Sequence, residues 1–396
     1  MIPGFGARGG PEGRAAGRGR IFLPVLLGAF GVFGLFWGTF AVLLADLSGA
    51  LDLSPGPLGV ALFVGAAASI VAMALLGWTS DRLGRRTFLV VSGGVMGLGI
   101  AALAFVDGYA VLLAALILLY AASGLYDVGI NAAAVDLEKA AGRRFMAVLH
   151  AAFSVGGVAG ALAAGVLLSA GVDYRHVYLA LVPPLGAAIL AVAATRFPPP
   201  GEPLGSGDGA REVGLYRNLP LLLVAVIATL ALLSEGEMEH WSGVYLRQSL
   251  GLSALLGGSG VAVFYGSMAV GRLGAAFIIG RLGNRRTLQG AGLLAAGGMT
   301  LALATREPLL VVAGFLVVGL ALSAVVPITF SVAGDIAPER AGGAISVVTT
   351  LGYGGFLLGP VIVGGIAEVV GLRVALGIIA AAGLMIFVFS SRLKVT

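Results

Sequence analysis

GWTSDRLGRRT, residues 77–87, is a charged stretch between two long apolar runs, and GRLGNRRT, residues 280–287, separates two others. RRT occurs in both stretches, at 85–87 and at 285–287. Nearly the same offset relates further identical positions: Asp136 with Asp335, Gly160 with Gly359, and Gly165 with Gly364. The chain therefore contains one structural unit twice, and such internal repeats are typical of transporters.

The composition indicates a membrane protein. Hydrophobic residues make up 59% of the 396 residues and charged residues only 11%, with a mean hydropathy of +1.03. Soluble domains carry about 25% charged residues, and helices of roughly 20 apolar residues span a bilayer. The sequence predicts an all-α membrane protein with twelve transmembrane helices, at residues 21–46, 56–77, 87–106, 109–135, 145–170, 176–195, 219–245, 253–279, 287–305, 308–333, 342–367 and 373–391.

Two polar segments set the domain organisation. Residues 1–20 are rich in Gly and Arg and are predicted to be a disordered cytoplasmic tail, followed by a retained first helix rather than a signal peptide. Residues 196–218, RFPPPGEPLGSGDGAREVGLYRN, are predicted to be a cytoplasmic linker. The linker divides the chain into an N-terminal six-helix bundle, 21–195, and a C-terminal one, 219–396.

The basic residues predict the orientation. Most of the 24 lysines and arginines fall on the side that holds both chain ends; the opposite side has only Arg175, Arg247, Arg306 and Arg373. By the positive-inside rule both termini are cytoplasmic, in a plasma (inner) membrane. The net charge of +5 is then a topology signal, and no nucleic-acid partner is expected. The chain has no cysteine, and its three histidines lack metal-ligand spacing, so neither a metal nor a cofactor is expected.

The loop at 77–87 closely resembles the signature loop of the major facilitator superfamily, which joins the second and third helices. This resemblance implies two pseudo-symmetric six-helix halves and a loop that latches the outward-facing state. It also implies that Asp81 faces the N-terminal end of the eleventh helix. Because Gly280 stands where Asp81 would repeat, the latch is expected to be one-sided. The alternative is that these arginines only fix the topology. The implied gating residues are Gly77, Asp81, Arg82, Gly84, Arg85, Arg86, Arg281, Arg285 and Arg286.

A narrower resemblance concerns three stretches. DVGIN at 127–131, HAAFSVGG at 150–157 and EGEMEHWSGVYL at 235–246 are similar to the branch of the superfamily related to fucose permeases. Those relatives are mostly described as proton-coupled sugar symporters, which implies a polar, sugar-like substrate.

Asp127 is the central candidate for a functional residue. Ionisable groups at membrane depth are costly, so they mark functional sites by default. Tyr120, Gly124, Asp127 and Asn131 share one face of the fourth helix, which must face protein or water. Desolvation favours the protonated form of a carboxyl group, as a proton-coupling site requires. Asp127 could carry a proton, bind a substrate hydroxyl or only tie helices together.

Other polar residues at membrane depth complete the predicted site. His150 could pair with Asp127, or hold helices four and five together. Arg272 could neutralise an acid across the two halves, or bond carbonyls within its own half. Glu239 and His240 are expected near the interface with water. The predicted proton-coupling residues are Asp127, Glu235 and His150, and the predicted substrate-binding residues are Asn131, Tyr120, Trp37, Trp241, Glu237 and Arg272.

Taken together, these features predict a secondary transporter that moves a small solute by alternating access, with proton-coupled symport. The chain has no P-loop for nucleotide hydrolysis and no catalytic constellation, so it is not expected to be an enzyme. A proton-coupled drug efflux antiporter is one alternative, although the fourth helix lacks an arginine and Gly160 is not followed by proline. A non-transporting receptor on a transporter scaffold is the second. Protons, membrane lipids and the solute are the expected partners of a functional monomer.

Overall fold

Helices account for nearly all of the structure, a computed structural model that describes residues 11–197 and 214–393, with side chains from Phe22 onward. Eleven helical stretches in these ranges are long and apolar enough to span a membrane. One of them, Ala254–Ala304, contains two helices, because Gly283 has non-helical φ and ψ angles of 74° and 167°. The twelve-helix prediction is therefore confirmed.

The helices are numbered in chain order. Three of them are interrupted for one or two residues: α6 at Leu181, α10 at 323–324 and α12 at Leu376. The bounds are α1 (Pro11–Ala50), α2 (Pro55–Leu76), α3 (Arg85–Leu103), α4 (Tyr109–Ala141), α5 (Met146–Ser169), α6 (Tyr174–Ala194), α7 (Leu219–Val244), α8 (254–282), α9 (284–304), α10 (Pro308–Ile336), α11 (Ala341–Val370) and α12 (Leu372–Ser390).

The start of the first helix differs from the prediction more than any other boundary does. Helix α1 begins at Pro11, within the tail that was expected to be disordered up to residue 20, because Ala15 and Ala16 allow the helix to extend backward from its apolar span. Residues 1–10 lie outside the described ranges, as do 198–213 of the expected linker. Helix α7 continues without a break through the acidic segment 235–240 and ends in a π-helical turn at Tyr245–Ser249.

The sequence repeat is also a conformational repeat. Gly84 precedes α3 with φ 79° and ψ 147°, and Gly283 precedes α9 with nearly the same angles. Gly171 and Gly371, which precede α6 and α12, have φ angles of 83° and 81°. Side chains with a Cβ rarely adopt such φ values, so glycine is needed at these turns. The two halves thus reverse the chain direction in the same way.

Helices α1 and α5 touch through backbone atoms. A Cβ on Gly34 or Gly38 of α1 would overlap the backbone of Phe153 or Gly157 of α5. The hydroxyl of Thr39 donates to the carbonyl of Gly160 at 3.1 Å. This is the close approach that small residues permit in membrane helices, as the spacing of the glycines predicts.

The end of the bundle that carries loop 77–87 is called the basic end below. There, Arg85 is 8% exposed and binds three residues of its own half. Its Nε donates to Asp136 of α4 at 2.8 Å, and its Nη1 donates to Ser80 at 2.8 Å and to Asp81 at 2.5 Å. Asp81 is therefore held by Arg85, and no bond to α11 is present among the described residues. The expected contact between Asp81 and α11 is not formed in this conformation, because the two halves are apart at this end.

The second copy of the loop is organised differently. Arg285 donates to the carbonyl of Ser391 at 2.6 Å, and Arg281 stacks on Phe277. Asp335, the repeat partner of the buried Asp136, is exposed. The remaining gating candidates, Arg82, Arg86 and Arg286, are exposed, and Arg82 stacks on Trp78. The arginine–aspartate network is thus a feature of the first copy, consistent with a one-sided latch.

The two halves are closed against each other at the end opposite the basic end, which we call the opposite end. A Cβ on Gly59 of α2 would overlap the carbonyl of Pro360, and one on Gly258 of α8 would contact the carbonyl of Ala161. Arg247 forms an ion pair with Asp46. Hydrogen bonds add to this closure: Gly56 N–H to Glu368 at 2.8 Å, Leu255 N–H to Ser169 at 3.1 Å, and Gln248 to Ser48 at 2.9 Å.

The same helices separate toward the basic end. Gly274 and Gly280 of α8 have open space where a Cβ would project, and so do Gly342 and Gly354 of α11. The glycines of these two helices that pack tightly against the N-terminal half, Gly258 and Gly364, lie nearer the opposite end. A cleft between the halves is therefore open at the basic end and closed at the opposite end.

The network at Arg85 leads to a stability prediction. Replacing Asp136 with Asn removes the carboxylate from a buried, charge-assisted hydrogen bond, which typically costs roughly 1.5–3 kcal/mol. We expect Asp136→Asn to lower the melting temperature of the purified protein. The matched control is Asp335→Asn at the exposed repeat position, which should leave the melting temperature unchanged. Equal effects at both positions would contradict the asymmetry between the two loops.

Candidate functional site

The candidate site is a group of polar side chains at membrane depth in the cleft. Asp127 and Asn131 lie one turn apart on α4, and both are half-buried. The amide of Asn131 donates to the Asp127 carboxylate at 3.0 Å and to its backbone carbonyl at 2.9 Å. The i, i+4 spacing on a helix makes this contact local. Asp127 thus has a neutral partner on its own helix, and no ion pair reaches it in the described residues.

The predicted pairing of Asp127 with His150 is not formed. The imidazole of His150 packs edge-on against Phe30 of α1, with ring centroids 5.4 Å apart. The amide of Asn131 occupies the near side of Asp127 instead. His150 remains half-buried at the cleft, within electrostatic reach of Arg272.

The guanidinium of Arg272, on α8, binds Glu235 of α7 at 2.8 Å. The pair lies within the C-terminal half, so the alternative in which Arg272 neutralises Asp127 across the halves is not realised here. The side chains of Arg272 and Glu235 are 36% and 16% exposed, so the pair borders the open cleft. It presents both a cationic and an anionic hydrogen-bonding edge.

A hydrogen bond joins the two halves in the middle of the bundle. The hydroxyl of Tyr120, on α4, lies 3.1 Å from Nε2 of His240, on α7. The Nδ1 of the same imidazole lies 2.7 Å from the carbonyl of Gly236, which can only accept, so Nδ1 carries the proton. In a neutral imidazole Nε2 then accepts a hydrogen bond from the hydroxyl of Tyr120. His240 is 3% exposed, so the expectation that it is solvated near the interface was wrong.

Aromatic side chains form the wall of the site on α1. The ring of Trp37 lies edge-on to Tyr120 at 5.1 Å and also contacts Phe36 and Phe40. Gly65 of α2 makes room for Tyr120, because a Cβ there would lie 2.9 Å from its ring. The indole of Trp37 is only partly buried, so one part of it faces the cleft.

Two predicted substrate-binding residues lie away from the open cleft. Trp241 and Glu237, on α7, are both 0% exposed. In the part of the chain that the structure describes, the Trp241 indole nitrogen has no hydrogen-bond partner, and neither has either carboxylate oxygen of Glu237. Their positions follow from the unbroken course of α7, which turns this face toward α11 rather than into the cleft.

Three further residues join the site although they were not among the predicted site residues. Tyr353 of α11 is 46% exposed and within electrostatic reach of both Asp127 and Glu235. Glu239 of α7 is half-buried, close to Glu235 and beside the phenol of Tyr265. Membrane-depth tyrosines were a usable signal in the sequence, but most tyrosines in such proteins serve packing, so the signal alone could not select these two.

Acids outnumber bases at the cleft. Asp127, Glu235 and Glu239 stand against the single fixed cation Arg272, with His150 nearby. No group of three or more His, Asp or Glu residues in the described ranges has the arrangement of a metal site. The arrangement can therefore bind a polar solute through hydrogen bonds and can hold a proton on a carboxyl group.

Comparison with known proteins identifies the family. The model of the Major Facilitator Superfamily matches residues 25–304 and 244–395. An uncharacterised MFS-type transporter of Yersinia pestis is 33% identical over 89% of this chain and 90% of its own length.

Two kinds of solved structure have similar folds. The crystal structure of the nucleoside transporter NupG has a TM-score of 0.79 at 14% identity, covering 95% of this chain and 100% of that one. A bacterial homologue of the human lysosomal transporter Spinster, in an inward-facing and unoccupied conformation, has a TM-score of 0.73 at 16% identity, covering 94% and 97%. The narrower resemblance to fucose permeases stays a prediction. The chain is a multi-pass membrane transporter that belongs to the Major Facilitator Superfamily.

Proposed function

We propose that this transporter carries a small, polar, sugar-like solute across the membrane by alternating access, coupled to the movement of protons. The observation that carries the proposal is the set of polar side chains between the halves, at membrane depth, with Trp37 at their edge. Concave sites with a few placed polar groups and an aromatic wall are typical of small-molecule binding.

The charge asymmetry gives this conformation a direction. If the basic end is cytoplasmic, as the positive-inside rule predicts, the cleft is open to the cytoplasm and closed to the outside. The closure at the opposite end uses backbone contacts, one ion pair and a few hydrogen bonds, all of which lie between the halves. Separating these contacts while bringing the basic ends together would expose the same site to the other side.

The side chains around the cleft favour a hydroxylated solute. The carboxylate of Asp127 and the amide of Asn131 offer acceptor and donor positions one turn apart. In the other half, the carboxylate of Glu235 offers acceptor positions and the guanidinium of Arg272 offers donor positions. Solutes with several hydroxyl groups can satisfy both sets at once, since each hydroxyl both donates and accepts.

Asp127 is the best candidate for proton coupling. Glu235 has Arg272 as a counter-ion at 2.8 Å, whereas the hydrogen-bond partner of Asp127 is the neutral Asn131. A carboxyl group without a counter-ion is the one whose charge changes most readily between environments of different polarity. We therefore assign the proton to Asp127 and place Glu235 with the substrate-contact group.

A ligand screen tests the substrate class. We expect hydroxylated solutes such as sugars or nucleosides to raise the melting temperature of the purified protein, because a ligand at a hundred times its Kd stabilises by about 2.7 kcal/mol. The Trp37→Ala variant should lose part of this shift. Stabilisation by hydrophobic cations alone, with no effect of sugars or nucleosides, would instead favour the drug antiporter.

A substitution at Asp127 tests the coupling. We expect Asp127→Asn to abolish solute accumulation driven by an imposed pH gradient in proteoliposomes, because asparagine cannot exchange a proton. Exchange of labelled for unlabelled solute at equal pH should persist, since the amide still bonds Asn131. Asp107→Asn, in the exposed loop before α4, is the matched control and should accumulate solute normally. Full accumulation by Asp127→Asn would exclude the coupling role.

A further inference from the structure

Glu237 is the most unusual acid in the described chain. It lies in the middle of a membrane-spanning helix, it is 0% exposed, and both of its carboxylate oxygens lack a hydrogen-bond partner. Its carboxyl group rests on Gly359 of α11, where a Cβ would overlap Oε1. The contact is possible only because residue 359 has no side chain.

Within the described ranges, no counter-ion faces Glu237 from the helices packed around it. On α7 itself the Trp241 indole lies one turn away within electrostatic reach, His240 bonds Tyr120 and the Gly236 carbonyl, and Glu235 is held by Arg272 of α8. The titratable or charged groups of the other neighbouring helices lie elsewhere. On α11, Tyr353 lies at the cleft and Glu368 accepts a hydrogen bond from Gly56 N–H. Asp46 of α1 pairs with Arg247, Asp335 of α10 lies at the basic end, and Arg373 of α12 donates to the carbonyl of Leu303.

An ionised carboxylate in this position would be strongly destabilising. An unpaired charge in an apolar interior costs several kcal/mol or more, and a buried group avoids this cost by becoming neutral. Pro360, the next residue of α11, has no N–H, so the carbonyl of Phe356 in the same turn lacks its usual helical donor. A neutral carboxylic acid can donate a hydrogen bond, whereas a carboxylate cannot.

The step at Gly359–Pro360 also belongs to the closure between the halves. Glu237 packs on Gly359 from one side, and the carbonyl of Pro360 fills the space of the missing Cβ of Gly59, on α2, from the other. The position of α11 at the opposite end is therefore linked directly to how Glu237 fits against α7.

We propose that Glu237 is a proton-binding residue whose protonated carboxyl holds α7 against the Gly359–Pro360 step, and that loss of this proton releases the step and opens the opposite end. A proton that binds one conformation more tightly shifts the equilibrium toward that conformation. Acid therefore favours the state that is closed at the opposite end, and alkali favours the open state. The proposal rests on alternating access and is independent of the substrate and of Asp127.

The absence of cysteine from the sequence makes a direct test available. Ser48 is 0% exposed at the opposite end of α1, where Gln248 of the other half covers it. A Ser48→Cys substitution puts one thiol at the closure with little change in shape. We measure the rate at which a membrane-impermeant maleimide labels the full-length protein in proteoliposomes. Dividing this rate by the labelling rate of the unfolded protein at the same pH gives a measure of how often the opposite end opens.

We expect labelling of the Ser48→Cys parent to rise as the pH is raised from mildly acidic to mildly alkaline. Adding Glu237→Gln, which mimics the protonated acid, should keep labelling low at every pH. At alkaline pH the difference should lie between about 5- and 150-fold, the usual range for coupling between two sites. Glu307→Gln, in an exposed loop at the same end, is the matched control and should respond to pH like the parent.

A second variant keeps the test decisive if Glu237→Gln folds poorly. Gly359→Ala places a Cβ where the carboxyl group lies, so labelling should be high at every pH. The proposal is overturned if the parent shows no pH response, if Glu237→Gln retains that response, or if Gly359→Ala labels as slowly as the parent in acid. Asp127→Asn should keep the parent's response, so a failure here and a failure of coupling at Asp127 are distinguishable.

Discussion

A charged side chain at membrane depth must be paired, hydrated or neutral, and this constraint organises the polar interior of the protein. At the basic end the buried Arg85 pairs with Asp136, and deeper in the bundle Arg272 pairs with Glu235, each within one half. The acids without a counter-ion are then the ones whose charge can change during transport. Asp127 and Glu239 face the open cleft, and Glu237 faces the helix that closes the opposite end. The roles that we propose in transport and in closure thereby fall to different carboxyl groups.

Glycines form much of the interface between the two halves. Two halves that must separate and meet again need smooth surfaces, and glycine has no side chain to obstruct them. Backbone atoms touch between α2 and α11 and between α5 and α8, where Gly59, Gly364, Gly165 and Gly258 lie. Van der Waals contact of this kind is strong over a large area but has no directional bonds to break in sequence. The few directional contacts, such as Arg247 with Asp46, lie at the rim. Such an interface can be closed firmly in one state and still open as a unit.

The sequence predicts the large-scale architecture well and the polar partners poorly. The positions of the helices follow from the lengths of the apolar stretches. The duplication at 77–87 and 280–287 is evident from the sequence, and it includes Gly84 and Gly283, which have similar φ angles in the structure. The partners of Asp127, Arg272 and His240 depend on how helices are rotated about their axes and on which half they belong to. Periodicity along one helix carries no information on that rotation relative to its neighbours. Helical spacing already places Glu235 and Glu239 on one face of α7 and Glu237 on another. The structure shows that the first face meets the cleft and that Glu237 meets α11.

Alternating access requires that one cleft opens in turn at its two ends. Spin labels on Asp107→Cys and Glu307→Cys would report the distance between halves at the opposite end, and labels on Arg144→Cys and Glu339→Cys would report it at the basic end. Pulsed electron paramagnetic resonance on each pair, with and without a stabilising solute, should show two distance populations that change in opposite directions at the two ends. A single population at both ends, or a change of the same sign at both, would contradict the account.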